Sequence, residues 1–502
     1  MTPERSETPR FRFGPLERRG LVAGWRGGQI AAVAVALVLA VGLLRAAPSL
    51  LGALLALGIV AAGAAAATWP ISGRTCEEWA PDAVRHGLQT AKTRRSSLRN
   101  PFATIRILEV DLESERPLPR PSCHSANRRF EFDESTSVTN GVGVVVDDTA
   151  RTYAAVFTAR GVGFVLLGEE EKARRVARWS AVLASIAREG SVVHRLQWIE
   201  RIHPDEGSEV LRHFETRAVL GDSTEAGRSY RELLKRTTPV THRHEVFLIL
   251  SIQARGAARA IRAAGGGNSG ACKVLLREAA ALRHRLADAD IEAGPPLRSD
   301  ELARTMRRAY EASGETGSDF SESADRTNAS SAWPWPMATS AEWSRLRADD
   351  TWHATFWVAE WPRTDVGPDF LGPLLLVSEV RRTVSVVMEP VGPLAAARQV
   401  EQARTADIAD AELRRRGGFL ATARRRREEE VLSNRELELA DGHAQYRFTG
   451  YVTISASDGE SLEEACGRVE QAACQAGLEL RRCYGDQLRA FLCTFPLARG
   501  LA

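Results

Sequence analysis

Lysine is almost missing from this 502-residue chain. Lys92, Lys172, Lys235 and Lys273 are the only four, and arginine supplies the rest of the 67 basic side chains. Against 64 acidic residues the net charge is +3, too small to argue for nucleic acid by itself. GC-rich coding explains the arginine bias, and a phosphate-selecting surface would need clustering. No C-x-x-C pair occurs among the seven scattered cysteines, which excludes a disulfide framework or a zinc site and implies a reducing compartment. No G-K-[S/T] is present. The nearest stretch, Gly265–Lys273 (GGGNSGACK), places Ala271 and Cys272 before the lysine and Val274 after it, so it reads as a turn before a helix rather than a phosphate loop. There is no G-x-S-x-G nucleophile elbow. His242 and His244 would share a strand face, but no H-E-x-x-H or carboxylate partner follows at motif distance. No catalytic, cofactor-binding or metal-binding residue is assigned, and the chain is expected not to be an enzyme.

What the sequence does have is apolar length near its start. Ile30–Leu44 carries no charge, and Leu50–Ile71 is a second run rich in Ala, Leu and Gly. The short interval between them, with Arg45 and Pro48, predicts a helical hairpin over 27–72. A length near 20 residues suits a membrane span. Arg5, Arg10, Arg12, Arg18, Arg19 and Arg26 precede it, and Arg74, Arg85, Lys92, Arg94, Arg95 and Arg99 follow it. The positive-inside rule then puts both flanks, and both termini, in the cytoplasm. Gly24/Gly28 and Ala62/Ala66 have the spacing of closely packed helices.

The remainder has soluble character: an α/β region over 73–312, a linker over 313–332 without apolar periodicity, and a last region over 333–502. Strands are expected at Thr104–Val110, Val142–Val146, Tyr153–Thr158, Val162–Leu167 and Val192–Ile202, with a helix at Glu169–Arg188. This makes a β-β-α-β unit. Asp222–Glu225 is a candidate capping box for a helix through Leu234. Glu245–Ile252 reads as a buried strand, and helices are expected at Cys272–Leu286 and Asp300–Tyr310. Six of the eleven tryptophans lie between Trp333 and Trp361. They read as core, although exposed indoles could stack bases. Ala354–Glu360, Leu371–Val377 and Thr383–Met388 are expected strands, and Leu394–Glu430 a long charged helix. The last unit reads β-α-β-β: Tyr446–Ala456, helix Leu462–Ala476, Leu478–Cys483, and a closing strand Ala490–Phe495. The fold class is therefore α+β: a two-helix transmembrane hairpin followed by a cytoplasmic mixed body built of β-β-α-β type units.

Taken in order, these units resemble a known family. The stretch from GVGVVVDDTARTYAAVF to VVHRLQWIE is similar to the opening of the non-ATPase N-terminal domain of TraC/TrbE-type ATPases of type IV secretion and conjugation. RELELADGHAQYRFTGYVTISA through FLCTFPLARG is similar to that domain's end, and the hairpin resembles PrgI-type subunits. RTCEEWAP, HRLQWIER and DGHAQYRF also resemble an actinobacterial integral membrane family encoded beside separate ATPases. In the ATPases the P-loop domain follows the last strand, whereas this sequence stops at Ala502. The resemblance implies a non-catalytic membrane platform of a conjugative or type IV-like machine. Such a platform would homo-oligomerise and dock a separate P-loop ATPase through Gln487, Ala490, Phe491, Phe495, Pro496 and Leu497. The alternative is a type VII secretion membrane component. A third reading, a membrane-bound hydrolase, would rest on the histidine pair and the tryptophans.

Overall fold

The computed structural model describes residues 13, 27–46, 48–68, 83–84, 87, 102, 104–110, 141–161, 164, 167–204, 214, 224–237, 242–311, 334–417 and 423–501. The expected linker at 313–332 lies outside them. The chain divides into two compact units, one of Pro15–Asn100 with Tyr484–Asp486 and one of the remaining residues.

In the first unit both apolar runs are helical: α1 (Gly27–Ala46) and α2 (Leu50–Thr68). Ser49 caps α2, its Oγ accepting from the Gly52 amide at 3.1 Å. The two helices pair through small residues. Ala36, Ala40, Ala56 and Ala67 are buried, and a Cβ on Gly63 would stand 2.4 Å from that of Ala36. Leu37, Val38, Leu39, Leu51, Leu54 and Leu57 face outward. The expected Ala62/Ala66 stripe is not the one used, since Ala62 is exposed. The hairpin is present, but no helix among the described residues is long and apolar enough to cross a membrane. The uninterrupted apolar run of α1, Ile30–Leu44, is only 15 residues, about 22 Å against a hydrocarbon core of about 30 Å. In α2, 19 residues long, eight are alanine.

The second unit is built on a 12-stranded sheet whose described pairings are all antiparallel. Its strands are β1 (Ile105–Val110), β2 (Val142–Asp147), β3 (Thr152–Arg160), β4 (Val193–Pro204), β5 (His242–Gln253), β6 (Glu292–Pro296), β7 (Thr339–Ala341), β8 (Leu346–Ala348), β9 (Thr351–Glu360), β10 (Arg381–Val391), β11 (Gln445–Ala456) and β12 (Glu479–Arg482). The path is β1-β2-β3-β5-β4-β10-β11-β9-β8-β7, with β6 on β3 and β12 on β9. Two copies of one topology are contained in this order. The first runs β6-β3-β5-β4, the second β12-β9-β11-β10. Each is the fourth-first-third-second order of a split β-α-β plait, and the two join through β4 and β10. The hairpin β2–β3 recurs as β8–β9, and both halves share the pairing edge of their first strand between that hairpin and their fourth strand.

The helices follow the same repeat. α3 (Glu169–Ile186) and α6 (Gly267–Asp288) cover one face of the first half, with α4 (Glu225–Thr237) and α5 (Ala258–Ala263) in the connections. α8 (Gly372–Leu375) and α11 (Gly459–Gln475) pack on the second half. α3 presents Val182 and Ile186 to the core and places Glu169–Glu171 in its first turn, where they favour the helix dipole. Asp458 starts α11 by accepting from Glu460 and Ser461 amides. The opposite face holds α7 (Ser299–Arg307) and α12 (Gln487–Leu492), which share one core with Ile199, Phe247, Ile249 and Phe495.

Four elements differ from expectation. Phe164 and Leu167 lie in a turn rather than a strand, the Leu167 amide donating to the Phe164 carbonyl. Leu371–Val377 contains the short helix α8, and the described residues of Leu394–Glu430 fall in two helices, α9 (Pro393–Gly417) and α10 (Ala423–Ala440). The closing strand at Ala490–Phe495 is replaced by α12 and the turns after it, so the last unit is β-α-β-α. A six-residue apolar run buried all round carries no period to separate strand from helix.

Candidate functional site: a polar ladder under the C-terminal segment

On the face carrying α7 and α12, the central strands present polar side chains to one another across the sheet. The register aligns Glu245, Arg201, Thr383, Thr453 and Thr355 in one row. The next row aligns Arg381, Ser455 and His353. Side chains two apart on a strand share a face, so the rows form a continuous polar strip inside an otherwise apolar core.

At one end the strip is charged. Arg201 is 1% exposed. Its Nη1 donates to the Thr305 carbonyl at 3.1 Å and lies 3.7 Å from Glu245, and its guanidinium sits 5.5 Å from the Phe247 ring centre. Arg308 and Arg243 approach the same carboxylate at 3.6 and 3.7 Å, as does His203 at 3.7 Å. Burial works to raise the Glu245 carboxyl, but His203, Arg201 and Arg308 outweigh it and hold it down at about 2. Arg381 donates to the Arg308 carbonyl, and burial together with Arg201 lowers it to about 10. His353 is pushed down to about 3, first by burial and then by Arg381. It is therefore neutral, with Nδ1 2.8 Å from Ser455 Oγ. The arrangement locks strands and α7 together. Its serine–histidine contact, Ser455 with His353, is buried inside the sheet, and among the described residues no group of three or more His, Cys, Asp and Glu could hold a metal ion.

At the other end the strip receives the C-terminal segment. Gln197 Nε2 donates to Ser385 Oγ at 2.8 Å and to the Cys493 and Phe495 carbonyls at 3.0 Å, and its Oε1 accepts from the Ala498 amide at 2.8 Å. Thr453 links Thr355 and Thr494. Arg195 donates to the Ala498 and Leu501 carbonyls, Tyr451 to that of Gly500, and Arg499 pairs with Asp147. Gly500, at φ +130°, passes so close that a Cβ would meet the Tyr451 ring at 2.7 Å.

All six residues expected at a docking edge are buried here. Gln487 accepts from the Thr355 amide at 2.8 Å and donates to the Cys483 carbonyl at 3.0 Å. Ala490 and Phe491 are on α12, and Phe491 packs edge-on against Phe495. Pro496 and Leu497 continue into the same core. Their roles within the chain are thus structural.

The remaining candidates settle similarly. His244 pairs with Glu200 at 2.7 Å, and His242 accepts from the Glu379 amide. Gly265, Gly266 and Gly267 take positive φ at the entry to α6, as a turn requires. Trp335 stacks on Phe102 at 5.1 Å, Trp352 lies under Arg345 at 4.3 Å, and Trp357 donates to Thr449. Trp333 lies outside the described residues. Neither Arg201 nor Arg382 was legible as a buried side chain, because isolated arginines in strands read as solvent-facing.

With this geometry in view, residues 240–358 match the family model described as "Putative type VII ESX secretion system translocon, EccE". The matched stretch is about a quarter of the chain and runs from the start of β5 into β9, spanning the end of the first plait and the start of the second along the sequence. No curated protein matches the chain. What the comparisons give is similarity, over residues 240–358, to a type VII secretion translocon component.

Proposed function

We propose that this chain is a non-catalytic structural component of a type VII secretion translocon, held at the membrane by the α1–α2 hairpin. The observation that carries the reading is the translocon family match over 240–358. The stretches that resemble type IV domains, near 141–200 and 435–500, both lie outside that match. The hairpin supports membrane attachment because its small residues face inward and its large apolar ones outward. That is the reverse of a water-facing pair and suits lipid contact. The body supports a scaffolding role, since many of its buried polar groups bridge strands, helices and the C-terminal segment. A separate motor ATPase and further copies of this chain are the proposed partners.

The deciding experiment is deletion of the chain with complementation, scoring export of small WxG-type substrates against DNA transfer. The expected result is lost export with normal DNA transfer. Lost DNA transfer with normal export would overturn the proposal in favour of the conjugation reading.

A further inference from the structure

Beside the second plait lies an aromatic surface that is already occupied. Phe13 stands with its ring centre 5.4 Å from Trp361, 5.5 Å from Phe370 and 6.0 Å from Phe448, the last edge-on. Its amide donates to the Pro362 carbonyl at 3.3 Å. Trp361 and Phe448 meet edge-to-face at 5.2 Å, a geometry that aromatic quadrupoles favour. Gly450 keeps the surface open: a Cβ there would stand 2.8 Å from Val358 Cγ2 and 3.0 Å from the Trp361 ring. Phe448 stays 39% exposed with Phe13 in place, so one wall of the surface remains in water.

We propose that Trp361, Phe370 and Phe448 form a socket for a phenylalanine-bearing peptide segment, and that Phe13 of this chain is its resident, releasable occupant. The inference stands on geometry alone and is independent of the secretion reading. Its meaning comes from connectivity. Phe13 and Phe102 lie on the chain just before and just after the unit Pro15–Asn100. Phe102 is fully buried between Trp335 and Phe495, whereas Phe13 is half-buried at the rim of the body. One flank is held by a permanent anchor and the other by a detachable one. Local opening at a half-buried contact costs far less than opening the core, so the Phe13 side releases first.

The test is limited trypsin digestion of the full chain, following cleavage after Arg10. Seating of Phe13 should protect this bond. Phe13→Ala and Phe448→Ser should each speed the cut about tenfold, and Phe13→Trp should restore protection. Unchanged cleavage in Phe13→Ala, or acceleration by Phe13→Ala but not by a folded Phe448→Ser, overturns the socket. If Phe448→Ser fails to fold, the second measurement decides: fluorescence anisotropy of a labelled peptide of residues 6–20 on full-length Phe13→Ala protein. Saturable binding, lost when the peptide itself carries Ala at 13, is expected. No binding of the unaltered peptide overturns the proposal.

Discussion

Replacing Gln197 by leucine tests whether the C-terminal segment belongs to the fold or is available to a partner. The side chain is fully buried and makes four hydrogen bonds, three of them to the backbone of that segment. Leucine fills similar volume but neither donates nor accepts. Ser385 Oγ still donates to the Cys493 carbonyl at 2.9 Å, so that carbonyl keeps a partner. The Phe495 carbonyl likewise keeps the Leu497 amide at 2.7 Å, and the Ala498 amide loses its partner. One orphaned buried group at about 1–3 kcal/mol gives a loss of about 2 kcal/mol. Urea unfolding of the body should show the midpoint falling with little change in slope. Hydrogen exchange should show amides in 493–501 opening before those of β4. A variant within about 1 kcal/mol of the parent, with exchange in 493–501 unchanged, would refute the account of the segment as a buried strap.

Two further outcomes follow from the same geometry. Arg382 donates to the carbonyls of Leu374, Leu375, Val377 and Val380, so Arg382→Lys, which keeps the charge but cannot fork, should cost about 3 kcal/mol in urea unfolding; a loss under 1 kcal/mol would show that the carbonyls find other donors. His353 sits near 3 instead of the ordinary 6.5, so an unfolded chain takes up its proton first and stability falls as pH drops from 6.5 toward 3. The melting temperature should decline from pH 7 to pH 5 in the parent and less steeply in His353→Asn, and parallel declines would remove His353 as the cause.

Local elements were legible wherever one signal dominated. DDTART between alternating strands gave β2–β3, EVFLILSI gave β5, and the apolar spacing of Leu462, Ala465, Val469 and Ala473 gave α11. The doubling was not read, because it lives in strand order rather than in sequence similarity. A faint trace exists: Asp147-Asp148-Thr149 and Asp349-Asp350-Thr351 both mark the turn before a plait's first strand, with positive φ at Arg151 and Asp349. The burial of the candidate docking residues within the chain was not legible, for a physical reason. Phe491 and Phe495 are apolar whether they meet a partner or their own sheet, and only three-dimensional placement separates the two. Arg201, Arg382 and His353 show the converse. Charge and polarity ordinarily mark the surface, while here neighbouring carbonyls and strands supply partners inside.

The strap at 493–501 also sets when one face of the first plait can be covered. It covers Gln197 on β4 and pairs with Asp147 at the end of β2, strands synthesised some 300 residues earlier. At roughly 5–20 residues per second the ribosome needs roughly 15–60 s to travel that distance. Throughout that interval the first plait can pair its own strands and cover one face with α3 and α6. The other face, with Ile199, Phe247 and Ile249, has α7 but still lacks α12, Phe495 and Leu497. The nascent chain therefore carries a half-covered apolar sheet face until residues 493–501 emerge, the kind of surface that favours aggregation.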